Sequence, residues 1–138
     1  MFQTRKFYEL DALRHNIWEA DKKSNLYFKE MLRYKKILDL MPVNRAEVLD
    51  LGTGDGYLSC LLADRNYRVV ALDISQNRLK KFEKQAHRLG IRQILGDAGH
   101  LPFAAESLDC VLASELLEHL ATYQDVVREI YRILKVSG

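Results

Sequence analysis

The chain has 138 residues, of which 48% are hydrophobic and 29% charged, and its formal net charge is +2 at pH 7. This length supports one hydrophobic core and is too short for two domains, so the chain is expected to form a single domain. The small net charge does not favour a nucleic-acid surface, and the sequence has neither an apolar run of about 18 residues nor an apolar leader; we therefore expect a cytoplasmic protein.

Residues 1–45 are charged, aromatic and predicted to form an N-terminal helical cap, ahead of residues 46–138. Ser24 is a candidate N-cap for a helix that runs to about Leu40, where Pro42 ends it. The apolar side chains on or near one stripe of this helix are Tyr27, Met31, Leu32, Leu38 and Met41.

Residues 48–56 (VLDLGTGDG) place three glycines directly behind an apolar strand. A glycine turn between a strand and a helix lets the backbone approach a ligand closely. A dinucleotide loop would need a further glycine at Tyr57, and a triphosphate loop would need a lysine after Gly56. Asp50 and Asp55 would also face the phosphates. The turn therefore favours a phosphate-free, positively charged cofactor, and S-adenosylmethionine, with its sulfonium and amino groups, is such a cofactor.

Strands and helices alternate in the rest of the chain, which predicts an α/β fold: a Rossmann-like, mainly parallel sheet with helices on both faces. Helices are predicted at 57–64, from Ser75 to the C-terminal cap Gly90, and at 122–134. Strands are predicted at 69–72, 91–95 and 108–113, the last of a buried type. The predicted buried stripe of the last helix is Val126, Val127, Ile130, Ile133 and Leu134.

Carboxylates follow the second and third predicted strands. Asp73 falls 19 residues after Gly54, close to the roughly 20-residue spacing at which a strand-two carboxylate reaches ribose hydroxyls. Asp97 follows the third strand, and the fourth leads into residues 114–120 (SELLEHL). Each feature has a structural alternative, since aspartates cap strand ends and polar residues begin helices. Four such elements in this order favour a cofactor site.

From Leu49 to its end the chain resembles the class I S-adenosylmethionine-dependent methyltransferases. The resemblance implies that residues 50–56 wrap the methionine and ribose end of the cofactor and that Asp97 and its neighbour face the adenine. The cofactor-binding residues it implies are Asp50, Gly52, Thr53, Gly54, Gly56, Asp73, Ile74, Asp97, Ala98 and Ser114.

The end of the chain departs from this family, whose sheet has seven strands in the order 3-2-1-4-5-7-6. Strands 3, 2, 1 and 4 are accounted for here, so strand four is expected to be an open edge. Such an edge invites pairing with another chain, either a second copy or a partner. Three explanations stay open: a fragment of a longer enzyme, a short form completed by another chain, or a module that binds cofactor without catalysis.

The resemblance implies methyl transfer to an acceptor, and residues 114–120 are similar to the strand-four loop of family members that act on small molecules. His119 is the candidate base if the acceptor is a hydroxyl group. Glu115, Glu118 and His119 also resemble the metal motif of RNA 2′-O-methyltransferases, although those enzymes use a further downstream histidine; no metal is expected. Leading helices in the family cover the site, which gives as candidate lid residues Tyr8, Trp18, Tyr27 and Phe28.

Overall fold

The computed structural model describes Lys23, residues 25–42 and residues 46–136. Its elements are α1 (Asn25–Leu40), β1 (Glu47–Leu51), α2 (Tyr57–Ala63), β2 (Arg68–Asp73), α3 (Gln76–Lys81), α4 (Glu83–Leu89), β3 (Arg92–Leu95), β4 (Cys110–Leu112), a 3₁₀ turn (Leu117–His119) and α5 (Tyr123–Ile133). No helix in these ranges is long and apolar enough to cross a membrane.

The four strands form one parallel sheet in the order β3-β2-β1-β4. Val48 of β1 pairs with Val69 on one side and with Cys110 on the other. The predicted strand order 3, 2, 1, 4 is confirmed. All four strands end at the same edge of the sheet, and the chain segments that leave them, including the glycine turn, gather there.

The sheet is covered on both faces, because successive side chains of a strand point to opposite sides. One face, which includes Val48 and Ala71, packs in a cluster with residues of α1, α2, α3 and α4. The other face, which includes Leu49 and Leu72, packs with residues of α5 and of the segment between β3 and β4. The predicted arrangement of helices on both faces is confirmed.

Helix α1 ends at Leu40, as predicted; Ser24, Tyr8 and Trp18 lie outside the described residues. The predicted apolar stripe is wrong at Leu32, which is 45% exposed. Among the α1 residues whose burial the structure describes, Tyr34 is the buried one, and its ring stacks on Tyr57 of α2 with 5.6 Å between ring centroids. Of the candidate lid residues, two belong to α1: Tyr27, which is half-buried, and Phe28, which is exposed.

The helix predicted from Ser75 to Gly90 is divided into α3 and α4 at Phe82, whose φ is −121° and ψ 18°. Both predicted ends are confirmed: the Ser75 hydroxyl accepts the N–H of Arg78, and Gly90 adopts the left-handed conformation. We attribute the break to the Phe82 ring, which is fully buried beside Gly56 in the glycine turn.

Helix α5 buries Val126 and Ile133 against the sheet, but the prediction for Val127 is wrong, because that side chain is 46% exposed. Residues 126, 130 and 133 share a face at helical spacing, whereas residue 127 lies about 100° away from residue 126. Leu134 lies past the end of the helix, and its backbone forms a bridge with Leu108.

Strand β4 is shorter and less buried than predicted, since all three of its residues are half-buried. It pairs with β1 on one side. On its other side, within the part of the chain that the structure describes, the contact is the bridge between Leu108 and Leu134, extended by a 2.9 Å hydrogen bond from the Lys135 N–H to the Leu108 carbonyl. The segment from Cys110 to Leu112 is therefore an edge of the described sheet.

Candidate functional site

The glycine turn at residues 52–56 connects β1 to α2 in a backbone conformation that favours glycine. The φ angles of Gly52, Gly54 and Gly56 are 74°, 59° and 73°, a region that L-residues with a side chain rarely adopt. The N–H groups of Gly52 and Thr53 donate to the carbonyl of Leu72, at 2.8 and 3.1 Å. The turn is therefore fixed over the carboxyl end of β2.

Asp73 joins the end of β2 to the middle of the glycine turn. Its Oδ2 accepts the N–H of Gly54 at 2.8 Å, and its Oδ1 accepts the N–H of Ser75 at 2.8 Å. The side chain is 6% exposed, and burial raises its pKa, although the two backbone donors oppose that shift. The two predicted cofactor residues Gly54 and Asp73 are thus in direct contact.

Asp50 lies on the inner side of the same turn and is 3% exposed. Its Oδ2 accepts hydrogen bonds from the hydroxyls of Ser59, at 2.6 Å, and Thr53, at 2.8 Å. Burial raises the pKa of this carboxyl group, and the hydroxyl donors offset part of that effect. Asp50 therefore connects the turn to α2 through buried hydrogen bonds.

We expect Asp50→Asn to change how stability depends on pH, because the amide cannot ionise. Between the unfolded pKa of about 3.9 and the raised folded pKa, the folded wild type binds more protons than the unfolded chain. Its free energy of unfolding therefore falls as pH rises through that window. Urea unfolding from pH 4.5 to 7.5, followed by circular dichroism, should show Asp50→Asn gaining stability relative to wild type as pH rises.

Asp109→Asn is the matched control, since Asp109 is a carboxyl group whose pKa is lowered by a hydrogen bond from Lys135. The stability that the Asp109 carboxylate contributes is lost only as pH falls through its lowered folded pKa. That pKa lies below the tested range. The difference between Asp109→Asn and wild type should stay constant from pH 4.5 to 7.5. The same constancy for Asp50→Asn would contradict the raised pKa of Asp50.

Asp55 points away from the centre of the turn, toward helix α3. Its Oδ1 lies 3.3 Å from the Lys81 Nζ and 3.8 Å from the Arg78 Nη1, and its side chain is 10% exposed. These ion pairs compensate its charge, so the repulsion of phosphate expected from Asp55 is weaker than the sequence indicates. The argument against a dinucleotide then depends mainly on Tyr57, which occupies the position of the required glycine.

The segment after β3 brings Asp97 and Ala98 to the same sheet edge. The N–H of Gly96 donates to the Asp73 carbonyl at 3.0 Å, which joins the exits of β2 and β3. The Asp97 Oδ1 accepts the N–H of Gly99 at 2.9 Å, which closes a local turn. Ile74 follows Asp73 directly and is half-buried. The structure thus gathers the predicted residues of β2 and β3 beside the glycine turn.

The segment after β4 contacts the glycine turn through Leu116, a residue that sequence reasoning missed. A Cβ added to Gly52 would lie 3.0 Å from the Leu116 Cδ1, so the two residues pack closely. Ser114, a predicted cofactor residue, lies two positions earlier and is half-buried. Apolar residues fill this segment in the sequence, and nothing in their spacing distinguishes Leu116 as the one in contact.

Glu115 has a left-handed backbone, with φ 56°, and therefore does not share a helical turn with Glu118 and His119. Its carboxylate lies 3.1 Å from the Arg33 Nη1 of α1, whereas Glu118 and His119 are exposed on the 3₁₀ turn. Across the described residues, no three His, Cys, Asp or Glu side chains are grouped so as to hold a metal ion. The Arg33–Glu115 pair instead connects α1 to the loop after β4.

The chain is similar to known proteins over most of its described length. Residues 49–138 match a family model described as a methyltransferase domain. The chain is 36% identical over 105 residues to the biotin biosynthesis bifunctional protein BioHC of Cellvibrio japonicus, covering 75% of this chain and 21% of that protein. It is also 36% identical over 95 residues to the ubiquinone/menaquinone biosynthesis C-methyltransferase UbiE of Desulfotalea psychrophila, covering 67% of this chain and 38% of that protein.

A solved structure, that of the PH0226 protein from Pyrococcus horikoshii OT3, shares the fold with a TM-score of 0.76 and 30% identity. The match covers 93% of this chain and 62% of that one. The chain therefore spans less than two thirds of each of these three proteins.

Proposed function

This chain belongs to the methyltransferase-domain family, and from that membership we propose that it binds S-adenosylmethionine on the glycine turn and serves methyl transfer to a small-molecule acceptor. One similar protein, UbiE, is named as a C-methyltransferase of ubiquinone and menaquinone biosynthesis. The small-molecule acceptor is proposed for this chain by analogy with UbiE.

The contact between Gly54 and Asp73 is the observation that carries the proposal. It holds a carboxylate against the middle of a turn whose backbone is open to close approach. A carboxylate accepts about four hydrogen bonds, so Asp73 suits the hydroxyl groups of a ribose. Burial raises the pKa of Asp73, so a ligand that brings positive charge or hydrogen-bond donors would favour the ionised carboxylate. S-adenosylmethionine provides both and has no phosphate.

We assign the other contacts by the strand each residue follows. The backbone of Gly52 and Gly54 would lie along the methionine and ribose end, and Asp97 and Ala98 would face the adenine. Ser114, at the end of β4, would lie near the reacting end. When bound, the cofactor supplies a methyl group activated by its sulfonium. The protein contributes alignment, which is worth up to about 7–11 kcal/mol when two reactants are held in line.

His119 is the residue we assign to proton acceptance when the acceptor is a hydroxyl group. Its N–H donates to the Leu116 carbonyl at 3.1 Å, so the 3₁₀ turn is tied to the residue that packs on the glycine turn. The imidazole is exposed, which leaves it accessible to an acceptor. A thiolate sulfur already carries its electron pair and would need no base, whereas a carbon acceptor that exchanges a hydrogen for the methyl group would also release a proton to a base.

The test uses S-adenosylmethionine with a radiolabelled methyl group, incubated with the chain and a bacterial cell extract. We expect label in the acid-soluble small-molecule fraction, and we expect Asp73→Asn to reduce it at least ~10-fold because the ribose contact is weakened. Asp109→Asn, a carboxyl group away from the turn, should leave the label unchanged. Label in the protein or nucleic-acid fraction would contradict the acceptor class, and equal label from Asp73→Asn would contradict the site.

A further inference from the structure

Two charged residues of α5 form a pair whose geometry is unusually complete. The Arg132 Nε lies 2.7 Å from the Glu129 Oε1, and the Arg132 Nη2 lies 2.8 Å from the Glu129 Oε2. This is the two-pronged arrangement in which an arginine holds a carboxylate most firmly. The sequence presents the pair only as residues three apart on a helix.

Both members of the pair also bind the backbone of the segment that follows β3. The Glu129 Oε2 accepts the N–H of Leu101 at 2.7 Å. Arg132 donates to the carbonyl of Leu101 at 3.1 Å and to that of Phe103 at 2.8 Å. Two side chains of one helix therefore hold three backbone groups of residues 101–103, 28 to 31 positions earlier in the chain.

The segment held in this way begins with Asp97 and Ala98. At its start, the N–H of Gly96 is bonded to the Asp73 carbonyl. The turn between is closed by two bonds, from the Gly99 N–H to the Asp97 side chain and from the His100 N–H to the Asp97 carbonyl. With Glu129 and Arg132 at the far end, residues 96–103 are fixed at both ends, which leaves the position of Asp97 little freedom.

We propose that the Glu129–Arg132 pair is a positioning element that holds Asp97 and Ala98 where they can recognise the adenine of the cofactor. This inference depends on the proposed function, because it assigns a role to the same cofactor site. Glu129 and Arg132 touch no cofactor themselves and act through the backbone of residues 101–103.

The surroundings of the pair indicate that it is not needed to hold the fold together. The two side chains are 20% and 38% exposed, so removing either one leaves no deeply buried charge. Helix α5 is attached to the sheet by other residues, Val126 and Ile133, which are almost fully buried. The hydrogen bonds from Arg132 lower the pKa of Glu129 to about 2, so the pair is charged at every pH used for binding.

The test compares Arg132→Gln with Arg128→Gln, a control on the same helix. Arg128 forms its own pair with Asp125 at 2.8 Å, and both side chains are exposed. Binding is measured by calorimetry for S-adenosylhomocysteine and S-inosylhomocysteine, which differ at the purine 6-position. Arg132→Gln should weaken S-adenosylhomocysteine binding about 10-fold and the inosine analogue less than about 3-fold, whereas Arg128→Gln should change neither.

Loss of preference between the two purines is a result that a purely structural role would not produce. A second variant, Glu129→Gln, should show the same loss of preference and replaces Arg132→Gln if that variant does not fold. In an Asp97→Ala background, neither substitution should reduce the preference further. Equal weakening of both ligands, or no weakening, would overturn the positioning role while leaving the proposed function in place. Failure of the wild type to bind S-adenosylhomocysteine would instead overturn the proposed function.

Discussion

Gly56→Ala is expected to lose about 3 kcal/mol or more of folding free energy, because the new methyl group has no room. A Cβ at this position would lie 2.2 Å from the Phe82 ring, and that ring is fully buried. The substituted residue would also have to adopt a φ of 73°. Urea unfolding followed by circular dichroism measures the loss.

Gly90→Ala separates the clash from the backbone cost. Gly90 has a similar φ of 69°, but an added Cβ there would meet nothing within 4 Å. Its replacement should cost about 1 kcal/mol, the price of a left-handed alanine. Equal losses for the two variants would contradict the packing of Phe82 on the glycine turn.

Gly54→Ala is expected to behave in the opposite way, with a small loss of stability and a large loss of cofactor binding. An added Cβ would approach only the end of the Arg78 side chain, at 3.1 Å, and that flexible group can move. Its unfolding free energy should therefore fall by about 1 kcal/mol, as for Gly90→Ala. Affinity for S-adenosylhomocysteine should fall at least ~30-fold, or about 2 kcal/mol.

The physical reason is that Gly54 is the point where the turn, the Asp73 carboxylate and the proposed ligand meet. A side chain at this position would occupy the space in which the ligand contacts the protein backbone. It would also strain the φ of 59° that directs the Gly54 N–H toward Asp73. Calorimetric titration of a folded Gly54→Ala sample with S-adenosylhomocysteine measures the loss of affinity. Unchanged affinity would remove the glycine turn from the cofactor site.

The features that could be predicted from the sequence are those determined by local pattern. The alternation of strands and helices predicts a parallel sheet with helices on both faces, and Ser75 and Gly90 mark the ends of a helical region through their capping chemistry. The glycines of the turn indicate a left-handed backbone that residues with a side chain rarely adopt. Each of these depends on residues within a few positions of one another.

The features that could not be predicted depend on contacts between distant segments. We attribute the break at Phe82 to the packing of its ring on Gly56, and the exposure of Val127 follows from which face of α5 meets the sheet. Leu116 contacts Gly52 across more than 60 positions of sequence. A single sequence carries no signal for such pairs, since the residues involved have ordinary helical and apolar spacing.

The charged residues of the site are the clearest example. In the sequence, Asp55 is expected to face the ligand, and Glu129 and Arg132 are only charged residues three apart on a helix. In the structure, Asp55 joins the glycine turn to α3, while Glu129 and Arg132 hold the segment after β3. Their roles follow from the fold, which brings a helix of one part of the chain beside a loop of another.

The most direct test of the central claim is a calorimetric titration of this chain with S-adenosylhomocysteine, with NAD⁺ titrated in parallel on the same preparation. Circular dichroism of that preparation establishes that it is folded. The glycine turn and Asp73 predict micromolar binding of S-adenosylhomocysteine and no measurable binding of NAD⁺. Failure of the folded chain to bind S-adenosylhomocysteine, or a preference for NAD⁺, would contradict the claim that this turn is a site for S-adenosylmethionine.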